Sequence, residues 1–369
     1  RQVLDERVGW DSHNSIVMAL DDAGHLHVAG NMHVHPLKYF RTRAAGDVST
    51  LERVPAMIGR DEERVTYPRF FEGPDGALLF NYRDGRSGAG TEIYNVYDVE
   101  TREWRRLLDT PLVDGEGERN AYFDGPRRGP DGRYHLTWVW RDTRDCETNH
   151  SPGYARSRDL VHWENSRGEP HSLPITFDTA EKVDDVGPGG GIINGNVRMG
   201  FDQEHRPVIT YHKFDEEGIT QLYNARLEEG SWRIYQSSAW DYRWEFSGPG
   251  SIVFEIRVQP VQTAPDGSLT QQWRHVKHGQ QRWRLDHETL APVERLPLPA
   301  SRAPEDWEEL RSDHPGMQVN TWGDSGASGE SGTRFMLRWE SLGHNRDLPR
   351  DPPWPEASTL EVCVLRSEE

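Results

Sequence analysis

One pattern recurs five times along the chain and narrows what it can fold into more than any other feature. A short apolar strand, a turn of Asp-Gly type and a second strand of alternating character appear in "IVMALDDAGHLHVAG" (16–30), "RFFEGPDGALLFNYR" (69–83) and "FDGPRRGPDGRYHLTWVWR" (123–141). The pattern returns in "VRMGFDQEHRPVITYHK" (197–213) and "EIRVQPVQTAPDGSLTQQWR" (255–274). Such turns suit β-hairpins because their residues tolerate positive φ. The turns fall near residues 24, 76, 132, 204 and 267, and second hairpins fit between them in "EIYNVYDVETREWRRL" (92–107) and "QLYNARLEEGSWRIY" (221–235). A repeat of about 40 to 60 residues carrying hairpins indicates propeller blades. The expectation is an all-β, seven-bladed β-propeller, with six blades the alternative, forming a single domain over residues 1–369. "STLEVCVL" (358–365) is expected to pair with N-terminal strands and close the ring.

Composition agrees. Only 34% of the residues are hydrophobic, but the 14 Trp bury large areas each, and 35 Gly and 24 Pro supply turns. A net charge of −18 argues against wrapping nucleic acid, which needs a basic face to displace counterions. No apolar run approaches the roughly 20 residues of a membrane-spanning helix. The two cysteines, Cys146 and Cys363, do not make a disulfide scaffold. The chain opens "RQVLDERVGW" without Met, and a secreted or periplasmic location is the expectation. "SRDLVHW" (157–163) resembles a degenerate Asp-box, the blade turn of sialidase-like propellers, without the usual Gly.

Propeller sites form where strand ends from several blades converge, so candidate residues should flank the hairpins. "GNMHVHPLKYFR" (30–41) crowds His33 and His35 beside Lys38 and Arg41, and His13 lies upstream in "WDSHNSIVMAL". Tyr67 precedes one hairpin strand and Arg83 ends its partner, so a hairpin places them on one rim. The same reasoning puts His13 and His33 together on the neighbouring blade. Two imidazoles, a phenol and a guanidinium are what β-elimination from a uronic acid requires. The guanidinium neutralises the carboxylate as charge builds on it, an imidazole takes the C5 proton, and a phenol or second imidazole protonates the departing O4. Lone Tyr and Arg at strand ends also commonly serve packing alone.

"HNS…GHLHVAGNMHVHPLKYFR", "TYPRFF…LLFNYRDGRSGAG", "HLTWVWRDT…ETNHSPGYARSRDLVHW", "TYHKFDEEGITQLYNAR" and "DYRWEFSGPGSI" resemble the BNR-type propeller lyases, which include ulvan lyases and L-rhamnose-α-1,4-D-glucuronate lyases. The resemblance implies His13, His33, Tyr67 and Arg83 as the functional set; side-chain chemistry then suggests His13 and Tyr67 as the acid/base pair in either direction, Arg83 on the carboxylate and His33 positioning the sugar. Asn31, Arg141, His150 and His212 are further candidates for substrate contact. Some ulvan lyases hold a structural zinc through His and Cys, but Cys146 is the only cysteine in that part of the chain and ligation normally needs four donors. No catalytic cofactor and no metal ligand are predicted; a structural Ca²⁺ or Zn²⁺ stays open, with no dense carboxylate loop to announce one. The expected partner is an anionic, uronic-acid-containing polysaccharide or oligosaccharide, not nucleic acid or membrane. The alternatives are an α-L-rhamnosidase acting on the same linkage and a non-catalytic carbohydrate-binding propeller, for which Trp138, Trp140, Trp240, Trp244 and Tyr242 would supply stacking surfaces.

Overall fold

Every expected hairpin turn forms, each around a residue held at positive φ. Gly24, Gly76, Gly132 and Gly267 lie at φ 78–83°, and His205 takes the same role at 64° where the sequence offers no glycine. The computed structural model describes residues 4, 10–300, 303–323 and 332–366. Its strands form six antiparallel sheets. Six sheets among the described residues accord with the six-bladed alternative expected from the sequence, and a seventh blade is not shown.

The first two sheets matter most for the site. The first contains β1 (Ile16–Leu20), β2 (Leu26–Gly30), β4 (Tyr39–Thr42) and β5 (Leu51–Val54) in that order. The second contains β3 (His33–His35), β6 (Val65–Glu72), β7 (Leu78–Arg86), β8 (Ala89–Asp98) and β9 (Glu103–Arg106). Thus β3 leaves the first sheet between β2 and β4 and adds to the edge of the second.

The chain divides into two compact units, Arg1–Pro249 with Phe254–Pro297, and Gly250–Val253 with Leu298–Glu369. Within the first, apolar clusters join each sheet to the next. Ala29 and Tyr39 of the first sheet pack with Phe80, Tyr82 and Ile93 of the second. Leu79, Tyr94 and Val96 meet Leu136, Trp138 and Trp140 of the third. Val139 and Tyr154 meet Met199, Ile209 and Tyr211 of the fourth, and Val208 meets Leu269 and Leu285 of the fifth. Sheets stacked this way cover both faces of their middle strands, and all eight residues of Tyr134–Arg141 are buried. Trp138, Trp140, Trp240 and Trp244 are buried blade core rather than sugar-stacking surface. The degenerate Asp-box also forms its turn. The Asp159 carboxylate accepts from the Val161 and His162 amides at 2.9 and 2.7 Å, and Leu160 takes positive φ.

The second unit holds a three-stranded sheet, Met317–Gly323, Thr333–Leu342 and Glu361–Arg366. Its buried Arg338 donates to Trp307 O at 2.9 Å and to the Glu340 carboxylate at 2.7 Å. The last strand, Glu361–Arg366, which overlaps "STLEVCVL", pairs with Thr333–Leu342 of its own sheet, where the sequence led us to expect pairing with N-terminal strands.

Candidate active site

The site begins with strand register. His33 stands opposite Thr66, and Thr66 opposite Arg83, so three strands carry these residues in one row. His33 therefore belongs to the same sheet as Tyr67 and Arg83, not to a neighbouring blade with His13; the short excursion of β3 carries it there. Tyr67 sits where the register between β6 and β7 shifts, at φ 56° and just before Pro68. A left-handed tyrosine inside a strand is a strained arrangement that its surroundings must impose, and here it re-aims the phenol away from the regular pleat.

His13 arrives from the first sheet. The Asn31 amide donates to Ser15 O at 3.0 Å, tying the segment after His13 to the turn before His33. This approach needs Gly30, since a Cβ there would lie 2.5 Å from Ser15 O and 2.7 Å from Ile16 Cα. The His13 and His33 rings then stack, with centroids 4.1 Å apart and planes 22° from parallel. The ring of Tyr67 meets His13 edge-on at 5.4 Å.

Asp11, which the sequence reading passed over, links the two imidazoles. One carboxylate oxygen lies 2.7 Å from His13 Nδ1, and the other is hydrogen-bonded to His33 Nδ1. Burial opposes the charge on Asp11, but hydrogen bonds from both histidines outweigh it and hold the carboxyl below its usual pKa. The bridging carboxylate favours a proton on each Nδ1, which leaves Nε2 as the lone-pair nitrogen of a neutral ring. Burial lowers the pKa of His33, even against the pull of Asp11, so that ring is neutral near pH 7.

Arg83 is 2% exposed, with its guanidinium carbon 5.0 Å from the Tyr67 ring centre. It donates to Thr66 Oγ1 at 3.1 Å and more weakly to Tyr122 OH at 3.5 Å, while its buried Nε has no hydrogen-bond partner among the described residues. No carboxylate among the described residues forms an ion pair with it. Gly90 makes room for its stem, because a Cβ there would lie 2.9 Å from Arg83 Cδ. Tyr122 is a second residue that sequence reasoning missed. Its hydroxyl lies 2.6 Å from Ser87 Oγ, and its ring contacts both the Tyr67 ring at 6.1 Å and the Arg141 guanidinium at 5.6 Å. Tyr67 remains 37% exposed yet is enclosed enough for burial to raise its pKa beyond what Arg83 and Arg141 take away. The phenol is thus partly exposed, protonated and able to donate.

The structure thus brings together His13, His33, Tyr67 and Arg83, with Arg141 joined through Tyr122. Asn31 lies beside them in the chain and contributes a backbone bond. His150 and His212 are buried and contact other side chains. His150 is buried against Phe177, 2.9 Å from Asp142 and 3.2 Å from Ser151 Oγ, and His212 is fully buried beside Trp244 at 5.2 Å. Burial lowers the pKa of His212 to about 4, so it stays neutral as a buried group.

Across from Arg83 on β8, Glu92 is buried and bonded to Asn81. Burial pushes its carboxyl up to about 7. A raised carboxyl pKa stabilises the fold fully below its unfolded value, about 4.3, and that contribution is lost as pH rises through 7. Glu92→Gln stays neutral throughout, so its urea-unfolding free energy is expected to fall less between pH 5 and 8 than that of the wild type, by on the order of 3 kcal/mol. Equal pH profiles for the two proteins would mean that Glu92 is not protonated in the fold.

Sheets stacked face to face, with a polar cluster gathered at the first two, define a β-propeller bearing a histidine–tyrosine–arginine site. The chain belongs to the BNR repeat-containing family, whose model matches residues 1–240. It is similar to the short isoform of ulvan lyase from Alteromonas sp. (strain LOR), 26% identical over 154 residues, 37% of this chain and 28% of that protein. The long isoform from Pseudoalteromonas sp. (strain PLSV) is 25% identical over 139 residues, 34% of this chain and 13% of that protein. These alignments span less than a third of either relative. Among solved structures, an ulvan lyase described as a new polysaccharide lyase family superposes with a TM-score of 0.61 at 13% identity, covering 96% of this chain and 79% of its own. An ulvan lyase of that family bound to -[GlcA(1-4)Rha3S]- gives 0.60 at 12% identity with the same coverage. At such identities the likeness establishes the fold.

Proposed function

We propose that this protein is a polysaccharide or oligosaccharide lyase that cleaves the bond to O4 of a uronic acid by β-elimination. The observation that carries this reading is Arg83, a buried guanidinium without an ion-pairing carboxylate among the described residues, set under a protonated phenol and beside two bridged imidazoles. A buried guanidinium with no carboxylate among the described residues in close ion pairing acts strongly on an anion bound over Tyr67, and most strongly as negative charge grows on the uronate carboxylate. The imidazole of His13 takes the C5 proton. The C5–H electron pair becomes the C4–C5 double bond, the C4–O4 bond breaks, and the Tyr67 hydroxyl gives its proton to the departing oxygen. The raised pKa of Tyr67 favours this direction over the reverse.

Within this class the linkage we favour is rhamnose–glucuronate, either L-rhamnose-α-1,4-D-glucuronate or an ulvan-type bond. It is supported by the similarity to ulvan lyases and by the solved ulvan lyase bound to -[GlcA(1-4)Rha3S]-. Incubation with a rhamnosyl-glucuronate polymer in ¹⁸O-labelled water is expected to yield an ultraviolet-absorbing 4,5-unsaturated uronate with no solvent oxygen in the new reducing end. A saturated product carrying ¹⁸O would identify a glycoside hydrolase instead. Unchanged polymer that remains bound would identify a carbohydrate-binding propeller.

A further inference from the structure

We propose that Asp11, His13 and His33 form a binding site for one divalent cation of the zinc class, and that the bound ion switches the site off. A carboxylate oxygen of Asp11 and one nitrogen of each ring lie within 4.8 Å of one another, and all three side chains are partly exposed. Two imidazoles and one carboxylate are a donor set suited to zinc, which accepts three protein ligands and keeps a fourth position for water. Magnesium and calcium need six or more oxygen ligands and find a single carboxylate here. The rings are stacked with their planes only 22° apart, so sharing an ion requires them to fan open about Asp11. Their exposed edges, with 19% and 26% of the side-chain surface open, leave room for that rotation.

The consequence follows from imidazole chemistry. A neutral ring has one lone pair and one N–H. A metal ion takes the lone pair and the other nitrogen keeps its proton, so neither ring retains a nitrogen able to accept the C5 proton. This consequence rests on the proposed elimination, whereas the binding itself does not.

The test is titration of zinc chloride into the whole chain by calorimetry, alongside Asp11→Asn, His13→Ala, His33→Ala and a Cys146→Ser/Cys363→Ser double variant, each checked by circular dichroism. The wild type and the cysteine variant are expected to bind one zinc per chain, and loss of any one ligand to weaken it about tenfold or more. Magnesium should give no binding heat. Saturating zinc should reduce formation of unsaturated uronate about tenfold or more, with recovery on adding EDTA. Absence of zinc binding by the wild type, or undiminished binding in all three ligand variants, overturns the site. Zinc binding that is lost in those variants, in a protein that performs no elimination when metal-free, keeps the site and overturns the lyase reading. Elimination that continues unchanged under saturating zinc overturns the switch.

Discussion

Arg83→Lys is expected to lower kcat/KM on a uronate-bearing substrate by on the order of 10²-fold or more, the usual effect of removing a charge that acts on the transition state. The substitution is conservative only in formal charge. Arg83 divides its donors between Thr66 Oγ1 and Tyr122 OH while its plane lies under Tyr67. A lysine has one nitrogen for all of these, and at 2% exposure it would shed its proton where a guanidinium does not. The loss should fall on kcat as well as KM, because the interaction strengthens as charge develops. Reduction of the substrate carboxyl to an alcohol should independently abolish turnover by the wild-type enzyme. A folded Arg83→Lys variant with near wild-type kcat/KM would remove Arg83 from the chemistry.

His13→Ala and Tyr67→Phe are each expected to cost about 10²- to 10⁴-fold in rate, the range for loss of a positioned acid or base. Solvent deuterium exchange at C5 separates their roles. Losing the base abolishes both exchange and cleavage, whereas losing the acid spares exchange and abolishes cleavage. With the phenol's pKa raised by burial, His13→Ala should show the first pattern and Tyr67→Phe the second. Opposite patterns would reverse the assignment. Near wild-type cleavage by both variants would move the chemistry to another residue, with His33, on the other arm of Asp11, the first to examine.

The sequence disclosed the hairpins well, because their turn chemistry is local: Asp-Gly pairs and their relatives announce positive φ wherever they occur. Residue type and position at strand ends singled out His13, His33, Tyr67 and Arg83 as candidates, the resemblance to the BNR-type lyases made them a set, and the structure brings the four together. What the sequence hid was non-local. Nothing in "GNMHVHPLKYFR" says that its histidines leave the first sheet for the edge of the second, since a three-residue strand carries no period of its own. Tyr122 reaches Arg83 across 39 positions, and no spacing rule spans that distance. Asp11 was nearer to hand. "WDSHN" is an Asx-type turn in which the Asp11 carboxylate accepts from the His13 amide at 2.9 Å, and the aspartate was passed over for the histidine beside it. His150 and His212 show what residue type and position leave open, since a histidine near a strand end serves a buried network or core as readily as a ligand, and both are buried. The blade count was open because the spacing between turns varies from 52 to 72 residues, too uneven to divide the length of the chain uniquely.

The excursion of β3 has a bearing on how such a protein can change over time. Blades that are sequential hairpin sheets can be duplicated, exchanged or cut apart at the links between them, each carrying its own strands. At the first link that modularity is lost. The chain visits the second sheet at His33–His35 and returns to finish the first, so a cut after β5 would strand three residues of one blade inside the other. Recombination, truncation or circular permutation that other links would tolerate must here keep both sheets together, and the histidine pair is inherited as one piece with them.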